Sequence, residues 1–212
     1  MRLQGREISP TRATQLALRD EQTLIHEGYE FLDEKRMLLA QELLRQLERI
    51  AVLNERGKRL QQTAKAALVQ AAMRHGLEEL SVYPPPLSRG FHVTTTVRTF
   101  LGLSLADSTL SDISQPPEET SPLPTFPSLE AQACADAFDE LLAFNVERAA
   151  VTANLLRLSK EYVQTERRAR ALENVLLPEI AEAVKEVGEH LEAEEQEEAM
   201  QLRHVTSRPT NE

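Results

Sequence analysis

Apolar residues recur at every seventh position over two long stretches of this chain. From Leu18 the series continues through Ile25, Leu32, Leu39, Gln46, Leu53, Leu60 and Ala67, with Tyr29, Leu43, Ile50, Ala64 and Ala71 at the alternate seam position. A second series runs Leu142, Ala149, Leu156, Val163, Arg170, Leu177, Val184, Leu191, Glu198 and Val205. A heptad kept over this many turns makes helices supercoil around one another. The pattern predicts an all-α dominated fold: a long antiparallel two-helix coiled coil with a small central insertion. Its expected seam is Leu18, Ile25, Leu32, Leu39, Leu53 and Leu60 on the first helix. On the second it is Leu142, Leu156, Val163, Leu177, Val184 and Leu191. At ~1.5 Å rise per residue, helices of this extent reach roughly 90 to 110 Å, so the expected shape is a rod.

Local signals divide the chain into an N-terminal tail at 1–8, a first helix at 9–76, an insertion at 77–128, a second helix at 129–205 and a disordered tail at 206–212. Ser9 caps free backbone N–H groups, and Pro10 is already fixed at a helical φ in the first turn. Gly28 and Gly57 are weak interruptions. His75 and Gly76 give a basic last turn and a glycine stop, and Pro84, Pro85 and Pro86 prevent resumption. Residues 91–100 are rich in Val, Thr and Phe and predict one strand of a small hairpin, its partner near 101–105, or a short helix following instead. Five prolines within 115–127 read as an exposed loop. Helix resumes after Ser128, a cap, and Pro178 bends or divides it.

Composition then narrows the partners. A formal net charge of -10 opposes binding to a phosphate backbone, so no nucleic acid is expected. No apolar run approaches the ~18 residues needed to span a bilayer, and Met1 to Arg6 lack the apolar core of a signal peptide, so the expectation is a soluble, unexported chain with no direct membrane insertion. Cys134 is the only cysteine; it fits a reducing compartment and reads as helix packing rather than a reactive thiol. With no Trp, six Phe and three Tyr, the Leu and Ala stripes must supply most of the burial.

The search for chemistry is mostly negative. No glycine-rich phosphate loop is present, so any nucleotide is handled elsewhere. None of the five histidines follows a Glu by three positions, which removes the usual di-iron signature of helical bundles. His190, Glu186 and Glu194 share one helical face, an arrangement more often solvated than metal-bound. No nucleophile elbow occurs. Neither a catalytic residue nor a cofactor nor a metal is expected.

Ser9-Pro10-Thr11-Arg12 opening a helix, then Gly28, Phe31-Leu32 and Lys35-Arg36 with Leu38, resembles the start of the D subunit of the V-type (archaeal and vacuolar) rotary ATPases. Arg167-Arg168-Ala169-Arg170-Ala171-Leu172-Glu173 followed by Pro178 is similar to that family's Arg-Arg-Val-Asn-Ala-Leu-Glu segment with its apolar run and proline. The glutamate-rich stretch before Leu202-Arg203 also fits. Ala169 stands where the family usually has Val, Arg170 where it has Asn, and Glu166 where a basic residue is common, which points to a divergent bacterial branch.

The resemblance implies a non-catalytic rotor shaft of the central stalk. Its paired termini would enter a hexamer of nucleotide-binding A and B subunits. Its insertion end would meet a small rotor subunit of the F type and the funnel subunit above the membrane ring. The complex would lie on the cytoplasmic face of a membrane and couple ATP synthesis or hydrolysis to proton or sodium transport by rotation. Pro10, Thr11, Arg12, Lys35, Arg36, Arg167, Arg168, Arg170, Leu172, Glu173 and Pro178 become candidate stator or partner contacts. The blander reading of the arginines is a solvated helical face of exposed ion pairs, worth about 0 to 1 kcal/mol each. Arg170, on the heptad stripe, is expected to lay its stem along the seam or pair with an acid on the first helix, with Gln46 its polar counterpart. A coiled-coil adaptor, such as an export-apparatus stalk protein in the bore of a hexameric ATPase, is the alternative. It shares the paired helices but has no need of the insertion.

Overall fold

The computed structural model describes residues 2–3, 6–7, 9–81, 91–112 and 128–206. In chain order these form β1 (Arg2–Leu3), β2 (Arg6–Glu7), α1 (Arg12–His75), α2 (Leu77–Ser81), β3 (Phe91–Phe100), β4 (Leu103–Asp112), α3 (Leu129–Ala171), a π-turn (Leu172–Leu176) and α4 (Leu177–Thr206). The short β1 and β2 pair antiparallel in place of the expected tail. The expectations for Pro84–Pro86, for the proline-rich 115–127 and for 207–212 lie outside the described residues; residue 206 is the last of α4.

The caps explain where the helices begin and end. Thr11, rather than Ser9, opens α1: its Oγ1 accepts the N–H of Thr14 at 3.1 Å, which leaves Pro10 just outside the helix. At the other end Gly76 takes φ +78°, a left-handed conformation that costs glycine nothing, and its N–H reaches the Ala72 carbonyl at 2.8 Å. Ser128 caps α3, its Oγ accepting the N–H of Ala131 at 3.1 Å.

The chain forms two compact units, Met1–Leu38 with Tyr162–Glu212, and Leu39–Glu161. In the first, Leu18, Ile180, Ala183 and Val187 make a buried cluster, flanked by Ile25, Val184 and Leu191. Arg12 meets Glu195 at 2.6 Å and Gly28 faces Leu172, so α1 and α4 run antiparallel here. In the second unit Leu53, Phe144 and Val151 form the cluster, flanked by Ile50, Leu60, Leu141 and Leu155. Gly57 makes room for it. A Cβ at that position would lie 2.7 Å from the Phe144 ring, so only glycine lets the ring in.

On α1, Leu18, Leu39 and Leu53 are buried, and Ile25, Leu32 and Leu60 half-buried. The second helix departs from expectation. Leu142, Leu156 and Val163 are 42%, 69% and 58% exposed, and the inward series lies two residues further on, at Phe144, Val151, Leu158 and Thr165. Both series have the same spacing, so periodicity cannot choose between them. The large ring of Phe144, admitted by Gly57, decides which faces inward. Leu177, Val184 and Leu191 are half-buried in α4.

The buried series then advances from Thr165 to Ile180 and Val187, and the first step is one residue longer than two heptads. That residue is absorbed in the π-turn, where the Leu177 N–H reaches back five residues to the Leu172 carbonyl. An uninterrupted α-helix would instead carry Glu179 and Glu186 into the core positions, at the cost of burying two charges. Pro178 favours the same solution, because its ring has no N–H for the Asn174 carbonyl and crowds it. Pro178 therefore sits beside a widened turn through which helical structure continues.

In the insertion, β3 and β4 form an antiparallel hairpin from Phe91↔Asp112 to Phe100↔Leu103, so the second strand runs well past 101–105. Its two-residue turn places Leu101 at φ 50° and Gly102 at φ 85°, the double positive φ that matches the twist of a tight hairpin. The short helix of the insertion precedes the hairpin rather than following it.

Candidate functional surfaces

In the first unit, residues from both candidate motifs meet at the π-turn. Gly28 presents no side chain, and Leu172 Cδ1 lies 3.9 Å from where its Cβ would be. Next to it in sequence, Tyr29 lies within reach of the charge of Glu173. The Glu173 charge, then burial and the charge of Asp33, hold the phenol above its ordinary pKa. Arg36 pairs with Asp33 at 2.5 Å on the same face. Leu172 and Glu173 are thus brought to the Gly28–Tyr29 stretch of α1, whereas Arg36 pairs within its own helix and Lys35 is half-buried next to it in sequence.

The other candidates stand apart. Thr11 is a helix cap, Pro10 lies just outside α1, and Arg12 reaches across to Glu195 in an exposed pair. Arg167, Arg168 and Pro178 are exposed. Arg170 pairs with Glu166 of its own helix at 2.6 Å, not with an acid of α1. Gln46 is not its counterpart either: it is buried in the second unit and donates to Glu42 at 2.8 Å.

In the second unit the hairpin is fastened to both helices by polar contacts that sequence reasoning missed. Asn154, buried on α3, accepts the Ala106 N–H at 2.9 Å and donates to the Ala106 carbonyl at 2.7 Å, imitating a neighbouring strand. Arg157 donates to the Ser104 carbonyl at 3.0 Å. From α1, Arg49 reaches Asp107 at 2.7 Å and Glu147 at 3.2 Å. Glu42 accepts from Gln46 and from Arg98 of β3. Burial pushes the Glu42 carboxyl up, but the bonds from Gln46 and Arg98 and the charges of Arg98 and Arg45 outweigh it and hold the carboxyl below the ordinary range. Leu105 supplies the apolar part of the attachment, only 1% exposed. One signal was available: Asn154 follows Val151 by three residues, a polar group at a seam position of the correct register.

The same unit leaves a second apolar stripe uncovered. Leu142, Ala149 and Leu156 keep heptad spacing on the solvent side of α3, with Arg148 and Lys160 nearby in sequence. Scattered exposed leucines need no explanation, whereas a periodic row of them is the face a partner helix would use.

Among the described residues no three His, Cys, Asp or Glu side chains are placed to hold a metal ion. Burial raises the Cys134 thiol pKa, which makes it a poor nucleophile. No described helix is long and apolar enough to cross a membrane.

Comparison with known proteins finds relatives along almost the whole chain. The family model for the D subunit of ATP synthase matches residues 14–207. The V-type ATP synthase D subunit of Thermotoga neapolitana is 26% identical over 205 residues, covering 93% of this chain and 96% of its own. The A-type ATP synthase D subunit of Thermococcus sibiricus is 26% identical over 199 residues, 94% of this chain and 93% of its own. Its counterpart in Pyrococcus furiosus, also A-type, is 25% identical over 200 residues, with the same shares covered, 94% and 93%.

Proposed function

The chain belongs to the ATP synthase D-subunit family, and from that membership we propose that it is the central-stalk rotor subunit of a V-type ATP synthase or ATPase. It carries no catalytic residue of its own. By rotating, it couples ATP synthesis or hydrolysis in a hexamer of nucleotide-binding A and B subunits to proton or sodium transport. It is peripheral to the cytoplasmic face of the membrane as part of the bound complex. The observation that carries this reading is the family match along nearly the whole chain, joined to a paired-helix seam suited to transmitting torque with few residues.

The small F-type rotor subunit and the funnel subunit meet the insertion end, where the hairpin supplies a non-repetitive surface. The uncovered stripe of Leu142, Ala149 and Leu156 supports a helical contact in the same unit. Candidate stator contacts are the exposed Arg167 and Arg168 and the π-turn residues Leu172 and Glu173.

Copurification tests the reading. The tagged chain should bring down a small companion and both nucleotide-binding subunits; recovery of cargo or a secretion ATPase instead would favour an adaptor. Leu142→Asp with Leu156→Asp should leave melting within about 0.5 kcal/mol of the parent, because both positions are exposed. The same pair should weaken companion binding. Undiminished binding would move that contact off α3.

A further inference from the structure

We propose that the π-turn at Leu172–Leu176 is a torsional joint, a point where α4 twists about its own axis while the packing before and after it stays in register. The inference concerns the first unit alone. It rests on the rotor reading only for its use, which is to let a driven helix yield without losing its seam.

Three observations converge there. The hydrogen-bond ladder is thin: the Leu177 N–H spans five residues to the Leu172 carbonyl, and Pro178 has no N–H to give Asn174. The packing is thin as well. Thr165 and Ala169 are buried before the turn and Ile180, Ala183 and Val187 after it, but no residue from 170 to 179 is buried. Opposite the turn α1 presents Gly28, so no side chain at that position interlocks with Leu172.

Twist applied to this helix therefore meets least resistance between two well-packed segments. The extra residue also means that the turn can loosen without changing which residues face the core on either side. In a regular α-helix the same rotation would have to drag Ile180 and Val187 out of the cluster they share with Leu18.

Amide hydrogen exchange on the full chain tests this directly. Amides from 173 to 177 should exchange at least tenfold faster than those of 165–169 and 181–187, although all lie in continuous helical structure. Deleting Asn174 together with Pro178→Ala removes the extra residue and restores the missing donor. That variant should protect the turn to the level of its flanks and keep Ile180 and Val187 protected. Uniform protection in the parent chain would overturn the joint. So would loss of protection over 180–187 in the deletion variant, since the deleted residue would then not be surplus. Neither readout requires assembly, so the joint fails or stands separately from the rotor reading.

Discussion

At the scale of single residues, small side chains decide where large ones go. Gly57 looks in sequence like a blemish in a helix, but it is the gap through which Phe144 enters the core, and Arg56 and Arg148 lie 5.9 and 6.0 Å from the ring centre. Gly57→Ala should thus destabilise the chain. Overpacking costs about 1–3 kcal/mol, which exceeds the gain of about 1 kcal/mol from better helix propensity. A melting temperature lower than the parent's would bear this out; a rise would mean that Phe144 moves aside freely. Gly28 at the π-turn differs, because an added Cβ there would stand in ordinary contact with Leu172.

Among elements, the hairpin depends on charges that titrate. The Glu42 carboxyl is held below its ordinary pKa when folded, so its contribution to stability is full above the unfolded value and is lost as pH falls through the folded one. Acid below the ordinary carboxylate range should therefore loosen β3 and β4 before the helices melt. Glu42→Gln should remove that acid sensitivity and cost about 1–3 kcal/mol at neutral pH, because Arg98 loses a charged partner. Exchange of hairpin amides across the acid range, in parent and variant, checks both. How much of this was legible follows from what periodicity encodes. Seven-residue spacing revealed two helices and their antiparallel pairing, and on α1 it picked out Leu18, Leu39 and Leu53, which are buried. It could not choose between two equally spaced faces of α3. It also carried no trace of the surplus residue at 172–176 beyond Pro178. The hairpin turn was hidden because Leu101 adopts a positive φ that its side chain does not advertise. Polar contacts such as Asn154 to Ala106 join residues 48 apart, beyond the reach of local pattern. Of the candidate contacts, Leu172 and Glu173 came from the family motif, and only the folded chain sets them against Gly28 and Tyr29.

For the whole molecule, an acidic chain with a net charge of -10 suits repeated passage across equivalent faces, because charge repels unspecific partners while leaving specific contacts to a few positions. Rotation itself is testable with one covalent tie. After Cys134→Ser, a cysteine at the exposed Gln201 and another on the facing loop of a nucleotide-binding subunit should form a disulfide that stops sustained ATP turnover, and a reductant should restore it. Full turnover in completely crosslinked, correctly assembled complex would rule out the rotor assignment and return the adaptor to first place.

Asn154 has a further consequence, for how the protein survives in a crowded cell. By occupying both backbone groups of Ala106, it hides part of the outer edge of β4, and Arg157 covers the carbonyl two residues earlier. Bare strand edges recruit other strands, and this one is flanked by the β-prone, hydroxyl-rich sequence of a hairpin with few charges of its own. A chain that lost the amide would gain a sticky ribbon as well as losing two hydrogen bonds. Its first symptom would be aggregation during synthesis, before any partner had the chance to bind.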